Sequence, residues 1–141
     1  MVTLQDFLNK VREKEEKKVK IAVIDIEGIG EVEFQRPKEA DLLKYNNSLI
    51  KCYRGNLKDR DNISTEDLDM EEMAYIASEL IYNSCSFFRS KELRAMYQEY
   101  EFIDIPLIIL GFNETLRVAN KVNSIFKGLE LKKETEEDIK N

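Results

Sequence analysis

The chain contains no histidine and no tryptophan, and only two cysteines and two prolines in 141 residues. Without histidine there is no Ser–His or Cys–His nucleophile pair. Zinc sites that mix histidine with cysteine are excluded as well, and Cys52 and Cys85 alone cannot build a four-cysteine site. Cys85 therefore lacks an activating base and reads as a small packing residue at a bend. Long apolar runs are missing too. The longest near the C-terminal end, PLIIL at 106–110, falls far short of the roughly 20 residues a helical membrane span needs. The start, MVTLQDFLNK, has no basic segment followed by an apolar one, so no secretory signal is expected. A cytosolic location follows, with thiols kept reduced and no Cys52–Cys85 disulfide. Positive charge is in deficit: 22 Lys and Arg against 28 Asp and Glu give −6, which argues against a general nucleic-acid binder.

The composition that remains, 43% hydrophobic and 35% charged, suits one domain with one core and a strongly charged surface. Thr3 is placed to cap a helix with Asp6 in its first turn, and Leu4, Phe7, Leu8 and Val11 form an apolar stripe at helical spacing. The run from Arg12 to Lys18 is charged throughout and reads as the end of that helix or a linker. Between Val19 and Ile26 the chain is β-branched, with Val19, Ile21 and Val23 on one side and Ala22, Ile24 and Ile26 on the other. Val32 and Phe34 alternate in a second strand. The EGIG segment at 27–30 supplies the glycines of a hairpin turn, so an antiparallel hairpin is expected from Val19 to Gln35.

Pro37 is expected to open a helix that carries Ala40, Leu42, Leu43, Tyr45, Asn46, Leu49 and Ile50 toward Cys52. Residues 55–64 read as an exposed loop. A helix capped by Ser64 or Thr65 should run to about Asn83, where Asn83 and Ser84 satisfy its last carbonyls and Phe87 and Phe88 fold back to the core. Ser90 starts a short helix with Leu93 and Met96 inward. A short buried helix over 103–110 ends at Gly111, and Asn113 caps a last helix whose apolar positions are Leu116, Val118, Ala119, Val122, Ile125 and Phe126. Gly128 is a plausible stop, and the charged residues beyond it have little to bury. The expected organisation is an N-terminal amphipathic helix with a charged linker at 1–18, a hairpin-plus-helix domain at 19–128, and a disordered tail at 129–141. The fold class is α+β, a mostly helical single domain with one N-terminal antiparallel β-hairpin.

No pattern carries catalysis. Asp59, Asp61, Ser64 and Glu66 resemble a calcium loop, but Ser64 stands where the tight turn needs glycine, and Met70 stands where a bidentate Glu belongs. Glu66, Asp67, Asp69, Glu71 and Glu72 are spread around a helix rather than gathered, so solvation explains them better than magnesium. Neither phosphate-loop glycine pattern occurs. No catalytic residue, metal ligand or cofactor site is assigned. An enzyme working through Asp, Glu, Lys, Tyr or Cys alone is the enzymatic reading that survives.

The order of the segments is informative in another way. LQDFLNKVREKEEKK precedes a hairpin with a central EGIG. FQRPKEADLLKY, ELIYNSCSFF, SKEL and PLIILGFNETLRVANKVNSIFKG follow. This series resembles the XkdN-like phage tail assembly chaperones of Gram-positive phages and prophages, over nearly the whole chain. Its most specific parts are Phe34, Arg36 and Pro37, the LIYNSC run from Leu80 to Cys85, and the terminal helix. The resemblance implies a non-enzymatic role in tail morphogenesis, in the bacterial cytoplasm and outside the mature virion. It implies the tape-measure protein as partner, with a frameshifted longer form of the same chaperone as a second. A chaperone covering apolar stripes would use an apolar groove or an amphipathic helix, which makes Leu4, Phe7, Leu8 and Val11 the candidate partner-binding residues. The competing reading packs that stripe on its own domain. The alternative function is a small cytosolic adaptor or regulatory protein-binding domain.

Overall fold

The structure is a computed structural model and describes residues 1–52 and 69–127. Its elements are α1 (Leu4–Lys17), β1 (Ile21–Ile26), β2 (Gly30–Gln35), α2 (Glu39–Lys51), α3 (Met70–Ser84), α4 (Lys91–Met96), α5 (Ile105–Leu110) and α6 (Phe112–Lys127). Two 3₁₀ turns, Ser86–Arg89 and Phe102–Asp104, connect the later helices. The chain is thus mostly helical with one antiparallel hairpin, the α+β arrangement expected from its sequence.

The hairpin forms where alternation and glycine coincide. Ile21 pairs with Gln35 and Ile26 with Gly30, leaving Glu27, Gly28 and Ile29 as the connection. Gly28 and Gly30 sit at φ of +80° and +112°, a region that side chains rarely adopt. One sheet face, Ile24, Ile26, Val32 and Phe34, is buried, while Ile21 and Val23 face outward. Helices cover the inner face, as a two-stranded sheet requires in water.

The core lies between that face, α2, α3 and α6. Central α3 packs against α6, α2 and α5. Ile76, Ala77, Leu80 and Ile81 on α3 meet Val118, Ala119, Val122 and Phe126 of α6 in the same cluster. Burying each of the larger of these side chains contributes roughly 1.5–3 kcal/mol. Polar ties set the helices in register. Tyr45 Oη donates to Asn120 Oδ1 at 2.6 Å, Asn46 Nδ2 to Asn123 Oδ1 at 2.9 Å, and Lys44 pairs with Glu79 at 2.7 Å.

Several expectations are corrected. Pro37 does not open α2: it is buried one residue ahead of the N-cap Lys38, which is still extended at ψ 148°. Of the apolar residues that α2 carries, which the sequence did not sort by face, Leu42 and Tyr45 are buried while Leu43 and Ile50 face solvent. The N-cap of α3 is Asp69, whose carboxylate accepts from Glu72 N. The cap expected at Ser64 or Thr65 lies outside the described residues, as do the 55–64 loop, the calcium-like pattern, the Gly128 stop and the 129–141 tail. Asn113 is not the cap of α6, which already begins at Phe112, with Gly111 O accepting from Thr115 N at 3.0 Å. Gly111 itself, at φ +81°, lets the chain reverse between α5 and α6.

Candidate functional site

Local chemistry makes α1 a well-formed helix. Thr3 Oγ1 accepts from Asp6 N at 3.2 Å, Asp6 lies at the positive end of the helix dipole, and Lys14 and Lys17 lie at the negative end. Lys10–Glu13 and Lys18–Glu15 add exposed ion pairs at 3.5 and 2.8 Å. The helix continues through Lys17, so the charged run beyond Val11 belongs to it and only residues 18–20 connect it to β1.

No residue of α1 is buried. Leu4, Phe7, Leu8 and Val11 are 74%, 57%, 41% and 40% exposed. The reading in which this stripe packs on its own domain does not describe this structure. A helix of 14 residues that buries none of its side chains is marginal on its own in water.

A second apolar surface lies at the turn end of the hairpin, where a groove of about 430 Å³ runs between the hairpin and α4. Ile26, Val32, Phe88, Leu93 and Ile109 contribute to its lining, and none of them is exposed. Ile29, Phe87 and Met96 stand on its rim at 55%, 65% and 73% exposure. Glu92 and Ser90 are among its few polar members. Sequence reasoning missed this groove because it placed Phe87, Phe88, Leu93 and Met96 all inward. Phe88 is buried and Leu93 half-buried, but Phe87 and Met96 are not. The signal was present: adjacent residues of a 3₁₀ turn point about 120° apart, so one Phe of the pair had to face out.

The thiols are placed for packing. Cys85 is fully buried where the 3₁₀ bend crosses β2, with its S–H 3.5 Å from Glu33 O. Ser86 N donates to Gln35 Oε1 beside it at 3.2 Å. Burial pushes the Cys85 thiol up, away from the thiolate a nucleophile requires. Cys52 is buried and free, and burial raises its thiol too, with Glu72 and Asp69 adding to the effect. Among the described residues no group of three or more Cys, Asp or Glu side chains is arranged to hold a metal ion. Asp69, Glu71 and Glu72 line one shallow depression near Asp104. No described helix is long and apolar enough to cross a membrane.

No protein-family model, curated protein or solved structure matches this chain significantly. The function therefore has to be argued from the surfaces themselves. The segments that carry the family resemblance take structural positions: Phe34 has no exposed surface, Arg36 bonds to Val19 O and Glu39, and Leu80 to Tyr82 line the core. Such segments set the fold, and among the apolar surfaces that the described residues leave open are α1 and the hairpin–α4 groove.

Proposed function

We propose that this protein is a phage or prophage tail assembly chaperone that binds the tape-measure protein during tail-tube assembly and catalyses no reaction. The observation that carries the reading is the stripe of Leu4, Phe7, Leu8 and Val11 on a helix that buries nothing in its own chain. A long helical tape-measure protein exposes apolar stripes until the tube encloses it. An amphipathic helix covers such a stripe by contributing residues at i, i+3, i+4 and i+7, the spacing of these four. The net charge of −6 keeps the complex soluble. Buried thiols with raised pKa and the lack of histidine fit a role without chemistry. The same reading places the protein in the host cytoplasm, outside the mature virion, with a frameshifted longer form as a second partner.

Co-expression with the tape-measure protein of the same tail gene cluster tests this. The tape-measure protein should move into the soluble fraction and co-purify. Phe7→Asp with Leu8→Asp should abolish that while far-UV circular dichroism and the melting of the folded body are kept. A tape-measure protein that stays insoluble beside the wild-type chain would refute the proposal.

A further inference from the structure

The hairpin–α4 groove and the α1 stripe are both apolar, both open, and on one chain. We propose that they fit each other across two copies: the Leu4–Phe7–Leu8–Val11 face of α1 from one protomer docks into the groove bounded by Ile29, Phe87 and Met96 of a second, and the exchange is reciprocal. This inference uses the same α1 face as the tape-measure reading, so a tape-measure protein would have to displace the second copy to reach it.

Three observations favour a second copy as the occupant. The first is charge. Residues 1–20 hold six Lys and Arg against four Asp and Glu, a net +2, whereas the rest of the described chain, 21–52 and 69–127, holds ten against fifteen, a net −5. At 100° per residue, Lys10 and Lys14 flank the stripe on one side and Arg12 on the other, while Glu15, which falls in the stripe's own arc, is paired with Lys18; the helix thus presents cations beside its apolar face to a body that is acidic overall, with Glu92 the charged residue in the groove's lining. The second is shape: four residues at i, i+3, i+4 and i+7 form the contact face of a helix laid in a groove. The third is reach. Residues 18–20 join α1 to β1 at the Ile21–Gln35 end of the sheet, while Ile26 and Ile29 line the groove at the opposite end of a six-residue strand, roughly 17 Å away. The link fixes only the C-terminal end of α1 there, and no α1 side chain lines the chain's own groove, which leaves the stripe open to a neighbour's. Reciprocal exchange gives an isologous dimer with two identical helix–groove contacts, which closes on itself.

The test is the mass of the full-length chain in solution. At roughly 100 µM, enough to saturate a micromolar homodimer, light scattering coupled to size exclusion should give twice the 16.6 kDa chain mass. Phe7→Asp on the helix and Met96→Glu on the groove rim should each give 16.6 kDa. Both positions are exposed, so circular dichroism should show a folded body for each. An equimolar mixture of the two variants retains one intact pairing, the helix of the Met96→Glu chain in the groove of the Phe7→Asp chain. It should form a heterodimer that neither variant forms with itself. A monomeric wild type, a dimer that survives either substitution, or a mixture without heterodimer overturns the proposal. A monomer that still solubilises the tape-measure protein would overturn the dimer and leave the proposed function standing, whereas a dimer that fails to solubilise it would do the reverse.

Discussion

Ser78 has no exposed surface, yet its hydroxyl is fully employed: it donates to Ile103 O and accepts from Leu107 N at 3.1 Å. One side chain on α3 thereby fixes both the 3₁₀ turn and the start of α5. Ser78→Ala leaves a half-buried carbonyl and a half-buried N–H without that partner, and should cost about 1 kcal/mol in urea unfolding. A loss near zero would mean the two backbone groups find water. Thr115 is the opposite case. Its Oγ1 is buried and finds no hydrogen-bond partner among the described residues. Thr115→Val keeps the shape and removes the unpaired hydroxyl, so thermal unfolding should show a gain of up to about 1 kcal/mol, and a clear loss would reveal a hidden partner. At Cys52 and Cys85, burial makes the expectation kinetic: a thiol reagent should modify both readily in denaturant and on the order of a hundredfold more slowly in the native chain.

At the level of elements, the hairpin turn is held by the first turns of α6. Glu114 chelates Arg117 through contacts of 2.6 and 2.7 Å and accepts from Glu27 N at 2.8 Å, while Arg117 donates to Asp25 O at 2.6 Å. The Arg117 guanidinium, more than the Glu27 N–H, holds the Glu114 carboxyl down at about 2, below its ordinary 4.5. A depressed folded value means that the clip stabilises the protein above the unfolded value of 4.5 and loses that contribution as pH falls toward about 2. Glu114→Gln should cost about 1 kcal/mol at neutral pH, a figure reduced for the solvent around the half-exposed Arg117. The difference from wild type should vanish in acid, and a difference constant across pH would remove the charge from the explanation. The tie to the hairpin was not legible in the sequence, because Glu27 and Glu114 lie 87 positions apart. Periodicity did find the α1 stripe, the two faces of the hairpin without telling which is inner, and the buried sides of α3 and α6. It failed on short elements. Six residues of α4 or α5 offer under two turns, too few to fix a face, so Met96 was assigned inward wrongly. On α2 it found the apolar residues without telling which would be covered, and Leu43 and Ile50 were left outside. The outward Phe of the 3₁₀ turn at Ser86–Arg89 was the groove's one local signal, and the rest of it is assembled by the fold from β1, the hairpin turn, β2, α4 and α5.

For the whole molecule, α1 is a separable part: it buries none of its residues and joins the body through residues 18–20. Its removal should leave the body's own stability untouched while changing how that stability depends on concentration. If α1 occupies a neighbour's groove, the full-length chain unfolds with a midpoint that rises with protein concentration, because dimerisation stabilises the folded state by mass action. A chain lacking residues 1–18 loses that dependence, and at high dilution the two should unfold at the same denaturant concentration. Tyrosine fluorescence is a suitable readout, as the chain has six tyrosines and no tryptophan, and Tyr45 is buried, its hydroxyl pushed up to about 12 by that burial. A truncated chain that is markedly less stable even at high dilution would show that α1 supports its own domain. The stripe of Leu4, Phe7, Leu8 and Val11 would then be structural, and neither a second copy nor a tape-measure protein would be needed to explain it.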